Sequence, residues 1–361
     1  MKKMLAIVVT ILPFIGGEAL SMIPAPLITL TRNNWQNFLT PDEGGTVTVP
    51  KNVKAIDSYC FAGCKSLSSI SFESGSQLTR IESYAFADSG LESITIPRSV
   101  NFLGSYCFTD CESLFSVSFE SDSRLTSIER ETFLRSGLES ITIPRSVNFL
   151  DSYCFAACKN LSLINFESDS RLTRIESYAF SESGSESGLG SITIPKSVKT
   201  LGSRCFNGCR SLSSVSFDPD SQLTCIGSGA FAGSGLESIT IPKSVVILDF
   251  YCFSGCGSLS SIDFESDSRL TRIEPYAFSR SGLESITIPK SVNFFGLECF
   301  SHCDKLSCVN LGFGFGLESP GDEEYRLTDT RMLPEQLDEF RKKLSINQNC
   351  MLRMLEAELT D

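Results

Sequence analysis

The stretch that decides the fold covers residues 91–114 and reads LESITIPRSVNFLGSYCFTDCESL. At its start, the apolar residues Ile94 and Ile96 alternate with Ser93 and Thr95. This period of two is that of a strand with one face in the core and the other in solvent. The stretch therefore predicts a short, half-buried β-strand.

A compact turn is predicted to follow the strand. Pro97 ends the strand, because proline cannot donate a hydrogen bond to a β-ladder. In a related copy, the segment Tyr84-Ala-Phe-Ala has the spacing of one short helical turn and would bury Phe86. One such coil cannot cover its own apolar face, so neighbouring coils must stack.

The pattern recurs along the chain at a fixed period. The sequence LESITIP begins at Leu91, Leu138, Leu236 and Leu283, with a variant at Leu189, and the pattern Cys-Phe-x-x-Cys begins at Cys60, Cys107, Cys154, Cys205, Cys252 and Cys299. Successive cysteine patterns are 47 residues apart, except for one interval of 51 that holds a Ser- and Gly-rich insertion. Each unit consists of two related halves of 22 and 25 residues, lengths typical of leucine-rich repeats. About eleven stacked coils are predicted.

Between Ile96 and Leu114, the pattern Ile-Pro-x-Ser-Val-x-x-Leu-Gly-Ser-x-Cys-Phe-x-x-Cys-x-Ser-Leu resembles the BspA-like class of leucine-rich repeats. The match extends from about Val47 to Leu311. The resemblance implies a curved parallel-sheet solenoid, usually in surface or secreted proteins that bind host or matrix proteins. We therefore predict an α/β fold: a leucine-rich-repeat solenoid with one continuous parallel β-sheet, short helical turns or loops on the other face, and an α-helix capping the C-terminus.

The repeats divide the chain into four segments. Residues 1–21 look like a secretory signal, with two lysines before an apolar run; an uncleaved anchor and a cytoplasmic N-terminus are the alternatives. Residues 22–45, which hold the single tryptophan, Trp35, are predicted to cap the N-terminal end of the core. The solenoid itself is predicted over 46–311, followed by a linker and an amphipathic helix over 312–361.

The predicted C-terminal helix begins at Pro334. Its apolar residues fall roughly on one stripe: Leu337, Phe340, Leu344, Met351, Leu352, Leu355 and Leu359. We expect this helix to cap the C-terminal end of the solenoid. The alternative is a helix for partner binding or self-association, in which Cys350 could cross-link a dimer.

The net charge limits the choice of partner. The 361-residue chain has a formal net charge of −12, whereas nucleic acid and anionic membranes are bound by clustered Lys and Arg. After the N-terminal segment, no stretch is apolar enough to cross a bilayer. We predict a protein partner, no nucleic acid, no small-molecule substrate and no membrane span after signal removal.

The 15 cysteines invite a metal or disulfide interpretation. Zinc is disfavoured by the Cys-x-x-x-Cys spacing and by the presence of a single histidine, His302. Equivalent pairs would lie about 9.6 Å apart, too far for a disulfide, whereas bridging within a pair stays open. Where one half has Cys60 and Cys64, the other has Ala85 and Ser89. We therefore interpret these cysteines mainly as small buried hydrophobes.

The outward side of the strands carries a ladder of hydroxyl groups. It is formed by Ser93 and Thr95, Ser140 and Thr142, Ser191 and Thr193, Ser238 and Thr240, and Ser285 and Thr287. Few aromatic residues accompany it, so the ladder lacks the aromatic side chains on which a sugar ring or the bases of single-stranded nucleic acid would stack. The ladder is either ordinary solvated strand surface or a low-affinity docking face for protein.

A second column is the candidate protein-binding strip. It contains Arg80, Phe102, Phe149, Arg174, Ile247, Arg272 and Phe294. Stacking at about 4.8 Å would place each arginine beside a phenylalanine in a cation–π contact. Arg and aromatic residues are enriched in interface hot spots, so the column is predicted to bind a partner. The alternative is that these pairs only hold the coils together.

No catalytic, cofactor-binding or metal-binding residues are predicted. An active site needs residues that depart from the repeat, and His302 occupies a variable loop position without a Ser–His–acid or Cys–His arrangement. We predict a non-enzymatic protein that is secreted or on the cell surface and mediates adhesion to host or matrix proteins. The alternative is an intracellular or host-delivered effector that sequesters a target protein.

Overall fold

The computed structural model describes residues 27–42, 45–184, 188–311, 316–318 and 325–328. The predicted signal at 1–21 and the predicted helix from Pro334 lie outside these residues. The described part of the chain contains no helix that is long and apolar enough to cross a membrane.

Each coil begins with a strand of four residues, as the alternating pattern predicts. These long strands are Thr46–Val49, Ser69–Phe72, Ser93–Ile96, Ser116–Phe119, Ser140–Ile143, Leu163–Phe166, Ser191–Ile194, Ser214–Phe217, Ser238–Ile241, Ser261–Phe264, Ser285–Ile288 and Cys308–Leu311. Ile94 and Ile96 are buried while Thr95 is exposed, so the predicted inward and outward faces are confirmed. The chain forms a parallel β-solenoid of about twelve turns.

A second set of strands forms a second sheet. These short strands are Val53–Ile56, Arg80–Ile81, Phe102–Leu103, Ser127–Ile128, Phe149–Leu150, Arg174–Ile175, Thr200–Leu201, Cys225–Ile226, Ile247–Leu248, Arg272–Ile273 and Phe294–Phe295. They pair in parallel, and Ile28–Leu30 adds a strand at the N-terminal edge. The prediction of one continuous sheet was wrong, because the chain bends after Pro97 and extends again before it turns.

Neither ladder runs without interruption through the described coils. The long-strand ladder is interrupted after Phe166 and after Phe264, and the short-strand ladder after Leu103. These gaps fall at different coil boundaries. Every boundary from the coil of Ser69 to that of Phe294 therefore has backbone pairing in at least one sheet.

The third side of each coil is a wall of turns, not a helix. The N–H groups of Tyr84, Phe86 and Asp88 donate to carbonyl oxygens of the next coil over 3.1, 2.9 and 2.9 Å. Those of Ala85 and Ala87 donate to oxygens three residues earlier in their own coil. Tyr84 and Asp88 have φ values of 60° and 57°, which a right-handed helix cannot contain.

The predicted α/β class and helical turns were therefore wrong for the described part of the chain. The single α-helix there is Trp35–Phe38, and the fold is a β-solenoid. Beyond Leu311, the strands Gly316–Glu318 and Tyr325–Thr328 form an antiparallel pair. Tyr325–Thr328 also pairs with Phe294–Phe295 and so extends the short-strand sheet.

The core is centred on a column of stacked phenylalanine rings. Successive centroids lie 5.1–5.7 Å apart with interplanar angles of 2–9° along Phe61, Phe86, Phe108, Phe133, Phe155, Phe180, Phe206, Phe231, Phe253, Phe278 and Phe300. Trp35 packs against the first ring, with its centroid 5.2 Å from that of Phe61. All eleven rings are buried, so this column runs through every gap in the ladders.

One glycine in each unit lets neighbouring coils approach closely. A Cβ on Gly137 would lie 2.1 Å from the carbonyl oxygen of Glu112 in the preceding coil. We expect Gly137→Ala to lower the free energy of unfolding by about 1–3 kcal/mol, the usual cost of overpacking. Urea denaturation of the purified protein measures this change.

Gly190→Ala is the matched control. A Cβ on Gly190 would meet no heavy atom within 4 Å apart from its chain neighbours, so this variant should keep its stability. Equal losses in the two variants would contradict the explanation by coil spacing.

Candidate interaction surfaces

The long-strand face places the predicted hydroxyl ladder in solvent. Thr95, Ser140, Thr142, Ser191, Thr193, Ser238, Thr240, Ser285 and Thr287 are exposed, and Ser93 is half-buried. Two of these threonines bond to serines of the next coil: Thr95 Oγ1 lies 2.8 Å from Ser118 Oγ, and Thr193 Oγ1 lies 2.8 Å from Ser216 Oγ. Because the hydroxyls of Thr95 and Thr193 are already paired, these two offer a weaker contact to a partner.

Acidic residues recur just after the long strands, at the edge of this face, and their carboxylates accept backbone N–H groups of the preceding coil. The Glu120 carboxylate accepts the backbone N–H of Arg98 over 3.0 Å, and Glu167 accepts that of Arg145 over 3.0 Å. Both bonds join residues of adjacent coils. These acids therefore connect one coil to the next.

The short-strand face brings together the arginines and phenylalanines of the predicted strip. The guanidinium carbon lies 4.1 Å from the ring centroid in Arg80–Phe102, 5.9 Å in Arg174–Phe149 and 3.8 Å in Arg272–Phe294. All three distances are within the range of a cation–π interaction. The column sequence therefore predicted these neighbours correctly.

Each arginine of the strip also has a carboxylate partner. Arg80 Nε lies 2.6 Å from Glu82 Oε1, and the corresponding distance is 2.7 Å for Arg272 and Glu274. For Arg174 and its glutamate it is 3.3 Å. Hydrogen bonding to Glu82 raises the pKa of Arg80 further above its usual value. The guanidinium groups are thus held in a fixed orientation above the rings.

The strip is a set of separated pairs and not one continuous patch. Phe102, Phe149 and Ile247 are half-buried and point outward from the short strands. Ile247 lies in register with Arg272, which places it beside the third pair. Phe294 is only 5% exposed, so it presents little surface to a partner.

Sequence comparison identifies the repeat that builds these faces. The family described as "BspA type Leucine rich repeat region" matches in six copies, over residues 43–162, 126–189 and 173–307. The chain belongs to the BspA-type leucine-rich repeat family. No curated protein sequence matches the chain significantly.

A solved structure with a TM-score above 0.5 shows the same fold at low sequence identity, and two others are similar to the chain with lower scores. A leucine-rich repeat protein from Bacteroides ovatus is 24% identical with a TM-score of 0.56, covering 84% of this chain and 82% of that one. The pneumococcal vaccine antigen PcpA is 22% identical with a TM-score of 0.43, covering 76% and 82%. A leucine-rich cell surface protein from Faecalibacterium prausnitzii is 24% identical with a TM-score of 0.39, covering 74% and 79%.

The cysteines of these BspA-type repeats are free, and most are buried. Cys111 Sγ donates to the Phe86 carbonyl oxygen over 3.0 Å, and Cys158 makes the same contact with Phe133. Burial raises the pKa of the Cys158 and Cys209 thiols to about 12. Such thiols are poor nucleophiles and poor metal ligands. Within the described residues, no group of three or more His, Cys, Asp or Glu side chains could hold a metal ion.

The turn wall carries a column of stacked tyrosines that the sequence analysis missed. Ring centroids lie 4.8 Å apart in Tyr59–Tyr84 and 4.5 Å apart in Tyr84–Tyr106. Arg204 continues the column further along, donating to the Tyr178 hydroxyl over 2.7 Å. The recurring Ser-Tyr dipeptide was the available signal. These BspA-type coils therefore present aromatic edges on the turn wall as well as on the short-strand face.

Proposed function

We propose that this BspA-type protein binds another protein through its short-strand face, and that it does so at the cell surface or after secretion. The observation that carries this proposal is the recurrence of oriented Arg–Phe pairs, represented by Arg80–Phe102 and Arg174–Phe149, on a solvent-facing column. Arg and aromatic side chains dominate binding energy at protein interfaces. Leucine-rich repeats of this family are in general binding scaffolds without catalytic activity.

Separation of the pairs along the array favours a multivalent mode of binding. Arg80 and Arg174 lie four coils apart, a distance of roughly 19 Å at a strand spacing of about 4.8 Å. A partner that is long or repetitive can engage several pairs at once, which raises avidity without a strong single contact. We propose adhesion to host or extracellular-matrix proteins of this kind as the role of the array.

The secreted location is supported by the N-terminal sequence. Residues 1–21 combine two lysines, an apolar run and small residues, as secretory signals do. Mass spectrometry of the mature N-terminus, after fractionation of the producing cells, tests this part of the proposal. An intact N-terminus found in the cytoplasmic fraction would contradict it.

The binding role is tested by the double variant Phe102→Ser and Phe149→Ser. Serine is the residue that the same column carries at Ser127, so the coils should still stack. Loss of two aromatic anchors is expected to weaken binding to immobilised matrix proteins by about tenfold or more. Surface plasmon resonance over a panel of matrix proteins measures the loss.

Phe115→Ser is the matched control, because Phe115 is exposed and directly precedes the long strand Ser116–Phe119, outside the strip. It should leave binding unchanged. If the double variant binds normally, the strip is not the interface. If it unfolds, the Arg–Phe pairs serve the stacking of coils instead.

A further inference from the structure

Three successive coils near the C-terminal end depart from the repeat at one position. The residue two places after each short strand is serine in most coils: Ser58, Ser83, Ser105, Ser152, Ser177, Ser203 and Ser228. In the last three coils of the column it is Phe250, Pro275 and Leu297. Arg130 is a single charged exception at this position, whereas these three residues form an apolar run in successive coils.

These three residues form one continuous apolar patch with the adjoining tyrosines. Tyr251 donates its backbone N–H to the Pro275 carbonyl oxygen over 3.2 Å, and Tyr276 donates to that of Leu297 over 3.0 Å. The Tyr251 and Tyr276 rings stack with centroids 4.9 Å apart. The five side chains therefore occupy neighbouring positions on three bonded coils.

The patch is open to solvent. Phe250 is 43% exposed and Tyr251 is 45% exposed, and the other three members are half-buried. Half-buried carboxylates border it at Asp249 and Glu298. A complementary segment should therefore combine a stripe of apolar side chains with flanking basic residues.

The C-terminal segment of the chain has this composition. Leu337, Phe340 and Leu344 fall on one side of the helix predicted from Pro334, and the basic triplet 341–343 follows Phe340 directly. In a helix, residue 341 lies beside residues 337 and 344, so its positive charge would flank the stripe. This positive charge is opposite in sign to the carboxylates of Asp249 and Glu298 that border the patch.

The chain leaves its last described strand close to the patch, within reach of the segment that begins at Pro334. The strand Tyr325–Thr328 pairs with Phe294–Phe295, in the coil that also carries Leu297. About three strand spacings, roughly 14 Å, separate it from the coil of Phe250. The five residues before Pro334 can span about 17 Å when extended.

Phe300 and Val309, near the last described coil, are each 1% exposed. A tethered segment also experiences an effective concentration on the order of millimolar, so a weak contact is enough to hold it. We propose that residues 334–359 dock in cis on the patch formed by Phe250, Tyr251, Pro275, Tyr276 and Leu297.

Photo-crosslinking of the full chain tests this docking directly and needs no partner protein. With p-benzoylphenylalanine in place of Phe250, illumination should give monomers cross-linked to peptides from 334–361. The same probe in place of Ser152, an equivalent position in the middle of the array, should give none. Cross-links that miss the C-terminal segment, or that join two copies, would overturn the proposal.

A second variant restores the repeat at the patch. Phe250→Ser, Pro275→Ser and Leu297→Ser together introduce the residue that most other coils already carry, so folding should be kept. Release of the segment is expected to speed tryptic cleavage after Arg341, Lys342 and Lys343 by about tenfold, as loss of a buried aromatic contact predicts. An unchanged cleavage rate, with an unchanged thermal midpoint, would refute cis docking.

Discussion

The array is expected to lose stability as the pH is raised from 9 towards 11. Cys154 and Cys158 are buried in the same 47-residue unit, and burial raises the pKa of both thiols above the ordinary value of 9.0. For Cys158 the raised pKa is about 12. Unfolding exposes the thiols and lets them ionise, which the folded coils resist.

The sign follows from the direction of the shift. A thiol whose pKa is raised in the folded state contributes its full stability below pH 9 and loses it as the pH rises towards the folded-state pKa. For Cys158, whose slope is about 1.4 kcal/mol per pH unit, this is a loss of about 3 kcal/mol by pH 11. Burial of Cys154 shifts the stability in the same direction.

Urea denaturation at pH 8, 9.5 and 10.5 measures the effect. The control is Cys154→Ala with Cys158→Ser, the pair that the alternate coil carries at Ala179 and Ser183. Serine at 158 can still donate to the Phe133 carbonyl oxygen, as the cysteine does. The control should lose stability less steeply with pH, and identical slopes would rule out thiol ionisation as the cause.

The stacking of coils could be predicted from sequence because every unit repeats the same constraint. Ile94, Ile96 and Phe86 recur at fixed offsets, and only in-register stacking buries all copies together. The same rule places Arg80 next to Phe102, as observed. Neighbours along a column follow directly from the period of the repeat.

The third side of the coil could not be predicted in the same way. The spacing from Tyr84 to Asp88 suits one turn of helix and also suits the observed turns, in which both residues have positive φ. Tyrosine rarely adopts this conformation, so sequence preference favoured the helix. Hydrogen bonds from Tyr84, Phe86 and Asp88 to the next coil support the observed form, and they exist only once the coils have stacked.

The sequence also could not predict how exposed each side chain of the candidate strip is. Phe294 and Phe102 occupy equivalent columns, but Phe294 lies on the strand that pairs with Tyr325–Thr328. Tyr325–Thr328 falls in a segment predicted as linker, outside the repeat pattern. Periodicity determines which residues are neighbours inside the array and carries no information about segments that pack onto its ends.

Removing one ring from the phenylalanine column is expected to cost about 3–5 kcal/mol of the free energy of unfolding, as large-to-small core substitutions do. Phe155 is 0% exposed, and its ring centroid lies 5.3 Å from that of Phe133 and 5.2 Å from that of Phe180. Phe155→Ala therefore removes contacts with both neighbouring coils and leaves a cavity between them.

Because each coil is stabilised only by its neighbours, this loss should also weaken the array locally. Amide hydrogen exchange should speed up most in the coils of Phe133 and Phe180, while denaturant titration gives the total cost. Phe115→Ser is the control, since Phe115 is 46% exposed and the equivalent positions Ser68 and Ser162 carry serine. If Phe155→Ala cost no more than this surface change, the ring column would not be the element that carries stability across the gaps in the two sheets.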